Sequence, residues 1–260
     1  LVLGRLFQTT CLLLLLIFFT GCKRNGSDSN ASTGQGTPAD EFLRLMNAGK
    51  NYLDQGDPTN ALAVYRRAHA ITPNDADLHL NMAIAHLNSG ALSNAIREAD
   101  EVLKLEPSSV AAYFIKGSAH LRLSQFEQAA KAFENAKKID PGESATFFQL
   151  GVARMGLQQW DAAISAFQEG IKLEPNRLHS SAHYLLGQAL LRAGREQEAQ
   201  QELLQHQSNL EGAGASTPNF ERSKHTVARV PFKLAQPDPR GIQVTFTDAT
   251  QTAFGTNAEH

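Results

Sequence analysis

The amino-acid sequence predicts an all-α fold: a solenoid of about five helix-turn-helix repeats over residues 40–210, with an export signal before it and an irregular tail after it. Two observations carry this. Pro73, Pro107, Pro141 and Pro175 recur at intervals of 34 residues, in the strings ITPND, LEPSS, IDPGE and LEPNR. Small and large residues recur in phase with them. Proline cannot continue a helix, and it biases the residue before it away from helical angles, so each of these strings marks the end of a helical stretch.

The phase is explicit when each proline is counted as position 32 of a repeat. Position 8 then holds Gly49, Ala83, Gly117 and Gly151, and position 20 holds Ala61, Ala95, Ala129 and Ala163. Position 24 holds Tyr65, Ala99, Phe133 and Phe167, and position 27 holds Ala68, Val102, Ala136 and Gly170. Small residues at 8, 20 and 27 let two helices approach closely, and the large residue at 24 fills the gap to the next repeat. A fifth copy follows after a slip of two residues, with Gly187 at position 8, Ala199 at position 20 and Leu203 at position 24. It lacks the closing proline, and Gln200, Gln201, Glu202, Gln205 and Gln207 give its last helix the polar face that a terminal repeat needs.

The helices follow in order. The first pair is expected at 41–55 and 58–71, where Asp57 can cap and Pro58 suits the first helical position. The others are expected at 76–89 and 92–105, 110–123 and 126–139, 144–157 and 160–173, and 180–193 and 196–209.

This period and these positions resemble the tetratricopeptide repeat (TPR) family over residues 40–210. The resemblance implies a protein-binding scaffold whose first helices, the A helices, line a concave groove. It also implies that positions 2, 5, 9, 12 and 13 face a ligand. Position 5 reads Met46, Leu80, Phe114, Phe148 and Tyr184, and position 9 reads Lys50, Ile84, Ser118, Val152 and Gln188. The groove would then carry an apolar and aromatic stripe with Lys50, Arg122 and Arg192 as scattered cations, suited to an extended or helical peptide with apolar anchors. Position 5 could equally be buried between neighbouring A helices. One subclass of the family holds a C-terminal carboxylate with Lys, Arg and Asn. Asn47, Lys50, Asn81 and Arg122 are the nearest candidates here, but two cations are thin for that task, and the set reads as a solvated polar edge.

Other chemistry has little footing. The net charge of −2 excludes a strongly basic nucleic-acid surface. There is no G-x-S-x-G, Walker A or H-E-x-x-H string and no dinucleotide-binding glycine motif, so the chain reads as non-enzymatic, with no cofactor. His86 and His120 share position 11 and His79 and His183 share position 4, which marks them as packing residues. His179 and His183 have the spacing of a ligand pair, but no Cys, Asp or Glu close by in sequence completes a metal site.

The two ends carry their own signals. Leu12–Phe19 is an unbroken apolar run, too short to span a bilayer and fit for the core of a secretory signal. The string Phe19-Thr20-Gly21-Cys22 follows it and resembles the bacterial lipobox. That implies a signal peptide over 1–21, lipidation at Cys22, and more than one acyl chain for stable anchorage. Cys11 would leave with the signal, so no internal disulfide is possible afterwards. Residues 22–39 read as a flexible tether, since KRNGSDSNASTGQGTP has no large apolar residue. Lys23 in place of Asp after the cysteine leans, by the same resemblance, toward the outer membrane and its periplasmic face.

The tail, 211–260, is expected to be irregular, with β-formers at Thr226–Val230 and Ile242–Thr247 making one or two short strands. Ile242–Thr250 resembles the opening of an FG-GAP (integrin-α-like) propeller protein, which implies a longer parent protein. The resulting expectation is a lipid-anchored scaffold that binds another protein or peptide in the cell envelope. The alternatives are an interaction segment of a propeller-bearing surface protein and an accessory subunit of an envelope enzyme.

Overall fold

The computed structural model describes residues 37–174, 180–212 and 224–230. Five hairpins follow one another. They are α1 (Pro38–Asp54) with α2 (Pro58–Ile71), α3 (Ala76–Asn88) with α4 (Leu92–Leu105), and α5 (Val110–Arg122) with α6 (Phe126–Ile139). Next come α7 (Ser144–Gly156) with α8 (Trp160–Leu173) and α9 (Ser180–Arg192) with α10 (Glu196–Gly212). A 3-10 turn at Lys224–Thr226 comes last. The signal peptide, Cys22, nearly all of the tether, Pro175, His179 and the strand expected at Ile242–Thr247 lie outside the described residues.

The helix boundaries agree with the sequence reading to within one residue except at the two ends. The tether was expected to run to residue 39, yet α1 begins at Pro38. The Thr37 hydroxyl accepts from the Asp40 amide while the Asp40 carboxylate accepts from the Thr37 amide, a reciprocal capping box. At the other end α10 continues to Gly212 rather than 209.

One turn is used five times. Gly56, Gly90, Ser124, Gln158 and Gly194 occupy position 15 of their repeats, and all five have positive φ, from 57° to 78°. The amide three residues past each A helix reaches back to a carbonyl at position 11, as in Asp57 N–H to Tyr52 O at 2.8 Å and Gln125 N–H to His120 O at 2.9 Å. This is a Schellman termination, which needs a left-handed residue and prefers glycine. The B helices stop differently. Thr72, Glu106 and Asp140 each precede a repeat proline, and each leaves the helical region with φ between −133° and −124°.

The core is divided as a solenoid requires. Four apolar clusters exist among the described residues, and each joins one hairpin to the next. Phe42, Met46 and Tyr65 of the first hairpin pack with Leu78, Met82 and Ala85 of the second. Phe114 and Phe133 of the third pack with Ala145, Leu150 and Ala166 of the fourth. No hairpin hides its apolar side alone, so stability is shared between neighbours. Each A helix also touches the next A helix, whereas B helices meet the following hairpin through its A helix. The A side is therefore the inner, narrower face.

Positions 8 and 24 are matched pair by pair. A Cβ built on Gly117 would lie 2.7 Å from the Phe133 ring, and one on Gly151 would lie 2.6 Å from the Phe167 ring. Gly49 faces Tyr65 in the same way. In the second repeat both partners are alanine, Ala83 and Ala99, and both are fully buried. Backbone and ring touch directly wherever the ring is aromatic, so any side chain at position 8 collides with it.

Tyr65 is the exception among these rings, because its buried hydroxyl has no hydrogen-bond partner. Burial, and after it the nearby Asp54 carboxylate, push its ionisation far above the usual range. Phe133 and Phe167 fill the same position without a hydroxyl. Tyr65→Phe is therefore expected to stabilise the protein by about 1 kcal/mol, measured by urea unfolding, since it removes an unsatisfied buried group.

The last hairpin is less polar on its outer side than the sequence suggested. Gln200, Gln201, Gln205 and Gln207 are exposed, but so are Leu191 and Leu204. These two leucines, with Leu203, line an open pocket of about 230 Å³ between α9 and α10.

Candidate functional site on the inner face

Residues 224–230 lie across the inner face. The Lys224 ammonium meets the carboxylates of Asp140 at 2.8 Å and Glu143 at 3.3 Å, where the third repeat gives way to the fourth. The turn at 224–226 rests on α5 of the third repeat. The Arg229 guanidinium lies 3.8 Å from the Asp77 carboxylate on α3, in the second repeat. Val230 packs on the apolar cluster shared by the first and second repeats, and Ala228 is buried. The segment therefore crosses the repeats in reverse order.

Asn81 holds it. The Asn81 side-chain amide donates to the Arg229 carbonyl at 2.5 Å, and the Arg229 amide donates to the Asn81 Oδ1 at 2.7 Å. The N–H and C=O of one residue face the same way only when the backbone is extended, so the asparagine imitates the pairing of a neighbouring β-strand. These bonds read backbone and leave the peptide's sequence unread. Asn81 is completely buried. The expected solvated edge is thus corrected at this position: Asn81 grips a peptide, and it does so by the main chain, not by a terminal carboxylate. A short strand was expected at Thr226–Val230, and no strand is seen there among the described residues. Those residues form the end of a 3-10 turn and an irregular run with no sheet partner among the described residues, and at Arg229 a side chain supplies the pairing.

The position 5 stripe is not a surface. Met46, Leu80, Phe114 and Phe148 are at most 2% exposed and belong to the clusters between hairpins. Phe148, for example, points at Gly170 of its own B helix, where a Cβ would lie 2.6 Å from the ring. The physical reason is that position 5 turns toward the B helix and the neighbouring hairpin rather than outward. Only Tyr184, in the last hairpin, stands exposed, against His206. At position 9, Ile84 and Ser118 are buried, Val152 is partly buried in the cluster of the last two hairpins, and Gln188 is partly buried.

Two of the three expected cations, Lys50 and Arg122, are also committed, while Arg192 is exposed at the end of α9. Lys50 pairs with Asp54 one turn away, and Asn47 bonds back to the Leu43 carbonyl. Arg122 donates to the Leu87 carbonyl at 2.6 Å, closing the end of the preceding A helix. The residues that meet the peptide are instead Asp77, Asn81, Asp140 and Glu143. Asp77 stands at ligand-facing position 2, so the repeat frame alone could have found it. Asp140 and Glu143 lie in the turn between repeats, where no groove position was counted.

His79 and His183, which share position 4, each gain a carboxylate partner in addition to their packing. His79 bonds Glu98 at 2.8 Å and His183 bonds Glu202 at 2.6 Å. Both pairs join position 4 to position 23 of one repeat, where the first, third and fourth repeats have Leu45 and Val64, Tyr113 and Ala132, and Phe147 and Ala166. A carboxylate thus does stand beside His183, from the partner helix. No group of three or more His, Cys, Asp or Glu residues able to hold a metal occurs among the described residues.

His86 is buried with its Nδ1 unpartnered, and burial lowers its pKa below the ordinary value of 6.5. Its folded pKa lies below its unfolded one, so the unfolded chain binds the proton more readily. Stability is complete above about pH 6.5 and is lost as pH falls below it. His86→Phe should flatten that loss when urea midpoints are compared at pH 7.5 and 5.5.

Hairpins stacked through shared cores, with a side-chain clamp on their inner face, define a helical-repeat scaffold. Sequence profiles described as tetratricopeptide repeat match residues 52–115, 110–143 and 148–212, which together take in more than half of the chain. The chain belongs to the tetratricopeptide repeat family. Among solved structures it is similar to "MamA 41-end from Desulfovibrio magneticus RS-1", at 25% identity and TM-score 0.63, covering 68% of this chain and 98% of that one. A second, "Crystal structure of MamA protein", has 21% identity and TM-score 0.61, covering 70% of this chain and all of that one. No curated protein matches the sequence. Repeat proteins of this family are in general non-catalytic scaffolds that bind other proteins or peptides, and the fold here supports that role.

Proposed function

We propose that the chain is a lipid-anchored scaffold of a bacterial cell envelope, which holds an extended peptide of a partner protein against its inner face. The observation that carries the binding half is the Asn81 clamp, which already holds both polar groups of one backbone residue. The anchoring half rests on sequence: the apolar run Leu12–Phe19, the Phe19-Thr20-Gly21-Cys22 string and the polar residues after it. Lys23 favours the outer membrane and its periplasmic face. No catalytic step enters this reading.

The two halves are tested separately. Cys22→Ser in the full chain should abolish labelling by a fatty-acid analogue and move the protein from the membrane to the soluble fraction. Labelling that persists contradicts the anchor. For binding, Asn81→Ala should reduce co-purification of a partner that the native chain retains. The pair Phe114→Ala and Phe148→Ala would be a poor probe, since both rings are core and their loss reports stability.

A further inference from the structure

The geometry points to residues 224–230 as a resident ligand of the inner face, which an incoming partner peptide must displace and whose chemistry it must share. This inference rests on the binding half of the reading above and deepens it by naming the ligand class.

The segment Lys224-His225-Thr226-Val227-Ala228-Arg229-Val230 meets the face at four kinds of feature. A cation meets Asp140 and Glu143 at one end. A second cation, five residues on, meets Asp77. The backbone of that second cationic residue meets Asn81. Small or branched apolar side chains, Ala228 and Val230, are set into the surface on either side of it. Acidic groups at both ends and a backbone clamp near one end define the fitting ligand. It is a peptide with two basic residues five apart that turns at the first and runs extended through the second, with a small residue before the second and a β-branched residue after it. An acidic peptide would place like charges together at both ends and is disfavoured.

The arrangement also makes the segment a competitor. It is covalently joined to the site it fills, so its effective concentration there is high. Its hold is nevertheless light. Lys224 and Arg229 are largely exposed, and ion pairs of that kind contribute little. Site and occupant thus form an equilibrium between a filled and an open face. An external peptide binds with its intrinsic dissociation constant divided by the open fraction, so a mostly filled face weakens it.

The test uses full-length chains and a labelled, end-capped synthetic peptide of sequence KHTVARV, with binding read by fluorescence anisotropy. Three proteins are compared: the native chain, Ala228→Asp with Val230→Asp to eject the segment, and that pair combined with Asn81→Ala. Helical circular dichroism should be the same in all three. The ejected form is expected to bind the peptide at least about ten-fold more tightly than the native chain, as an open fraction near one in ten would give. Binding should fall back when Asn81 is also removed. Equal affinity for the native and ejected chains would overturn the resident-ligand inference and leave the binding face standing. No binding to any of the three would overturn the inference outright, while partner co-purification would still judge the face independently. A native chain that dimerises with concentration, and whose dimer is lost on ejection, would also overturn it, because the occupant would then come from a second copy.

Discussion

Phe133→Ala is expected to lower the unfolding free energy by about 3–5 kcal/mol, the cost of deleting a fully buried aromatic ring and leaving its cavity. Gly117→Ala should also destabilise the native chain, by about 1–3 kcal/mol, because its methyl would meet the Phe133 ring inside contact distance. In the Phe133→Ala background the same glycine substitution should become favourable by up to about 1 kcal/mol, since alanine is the better helix former and the obstacle is gone. The effects are thus strongly coupled, as residues in contact are. The second repeat already presents the double variant's solution, with Ala83 facing Ala99. Urea unfolding of the four proteins measures the cycle. Additive effects would mean that positions 8 and 24 do not pack as pairs. Because each cluster spans only two hairpins, the loss should also separate the unfolding of the flanking repeats and broaden the transition.

Asn81→Leu should release residues 224–230 to trypsin. Cleavage after Arg229 requires attack on the Arg229 carbonyl, the group that Asn81 holds at 2.5 Å. Two hydrogen bonds are lost, each contributing about 1 kcal/mol net, so opening should become roughly 30-fold more favourable. Cleavage at Arg229–Val230 should accelerate by up to about ten-fold, the ceiling set by a native segment open about one-tenth of the time, while the helices remain resistant. An unchanged cleavage rate would show that Asn81 does not retain the segment.

Much of the fold was legible because it repeats. The proline interval, the small residues at positions 8, 20 and 27 and the ring at 24 each have one packing role, and five copies average out local noise. What was missed lies where the copies differ. The capping box at Thr37 sits before the first repeat, in a stretch whose composition reads as tether. Tyr65 looks like Phe133 and Phe167 in the pattern, yet only it strands a hydroxyl. Ser124 and Gln158 take a left-handed turn that glycine fills in the other three repeats, because the turn is imposed by the hairpin rather than by the residue.

The site was legible only in outline. The inner face could be placed by the repeat frame, and Asn81 was among the candidates. Its occupant could not be found that way, since 148 residues separate Asn81 from Arg229 and no periodicity links them. The apolar positions meant to form the stripe proved to be interior, because a period fixes which residues share an environment without fixing how deep that environment lies. The acidic partners of Lys224 sit in an inter-repeat turn, where charge reads as ordinary surface.

Amide hydrogen exchange at Arg229 in the native full-length chain reaches the centre of this account. With its N–H bonded to a completely buried Asn81, that amide should exchange at least about ten-fold more slowly than the same amide in the free KHTVARV peptide. Exchange at the free-peptide rate would contradict the claim that the inner face binds an extended backbone.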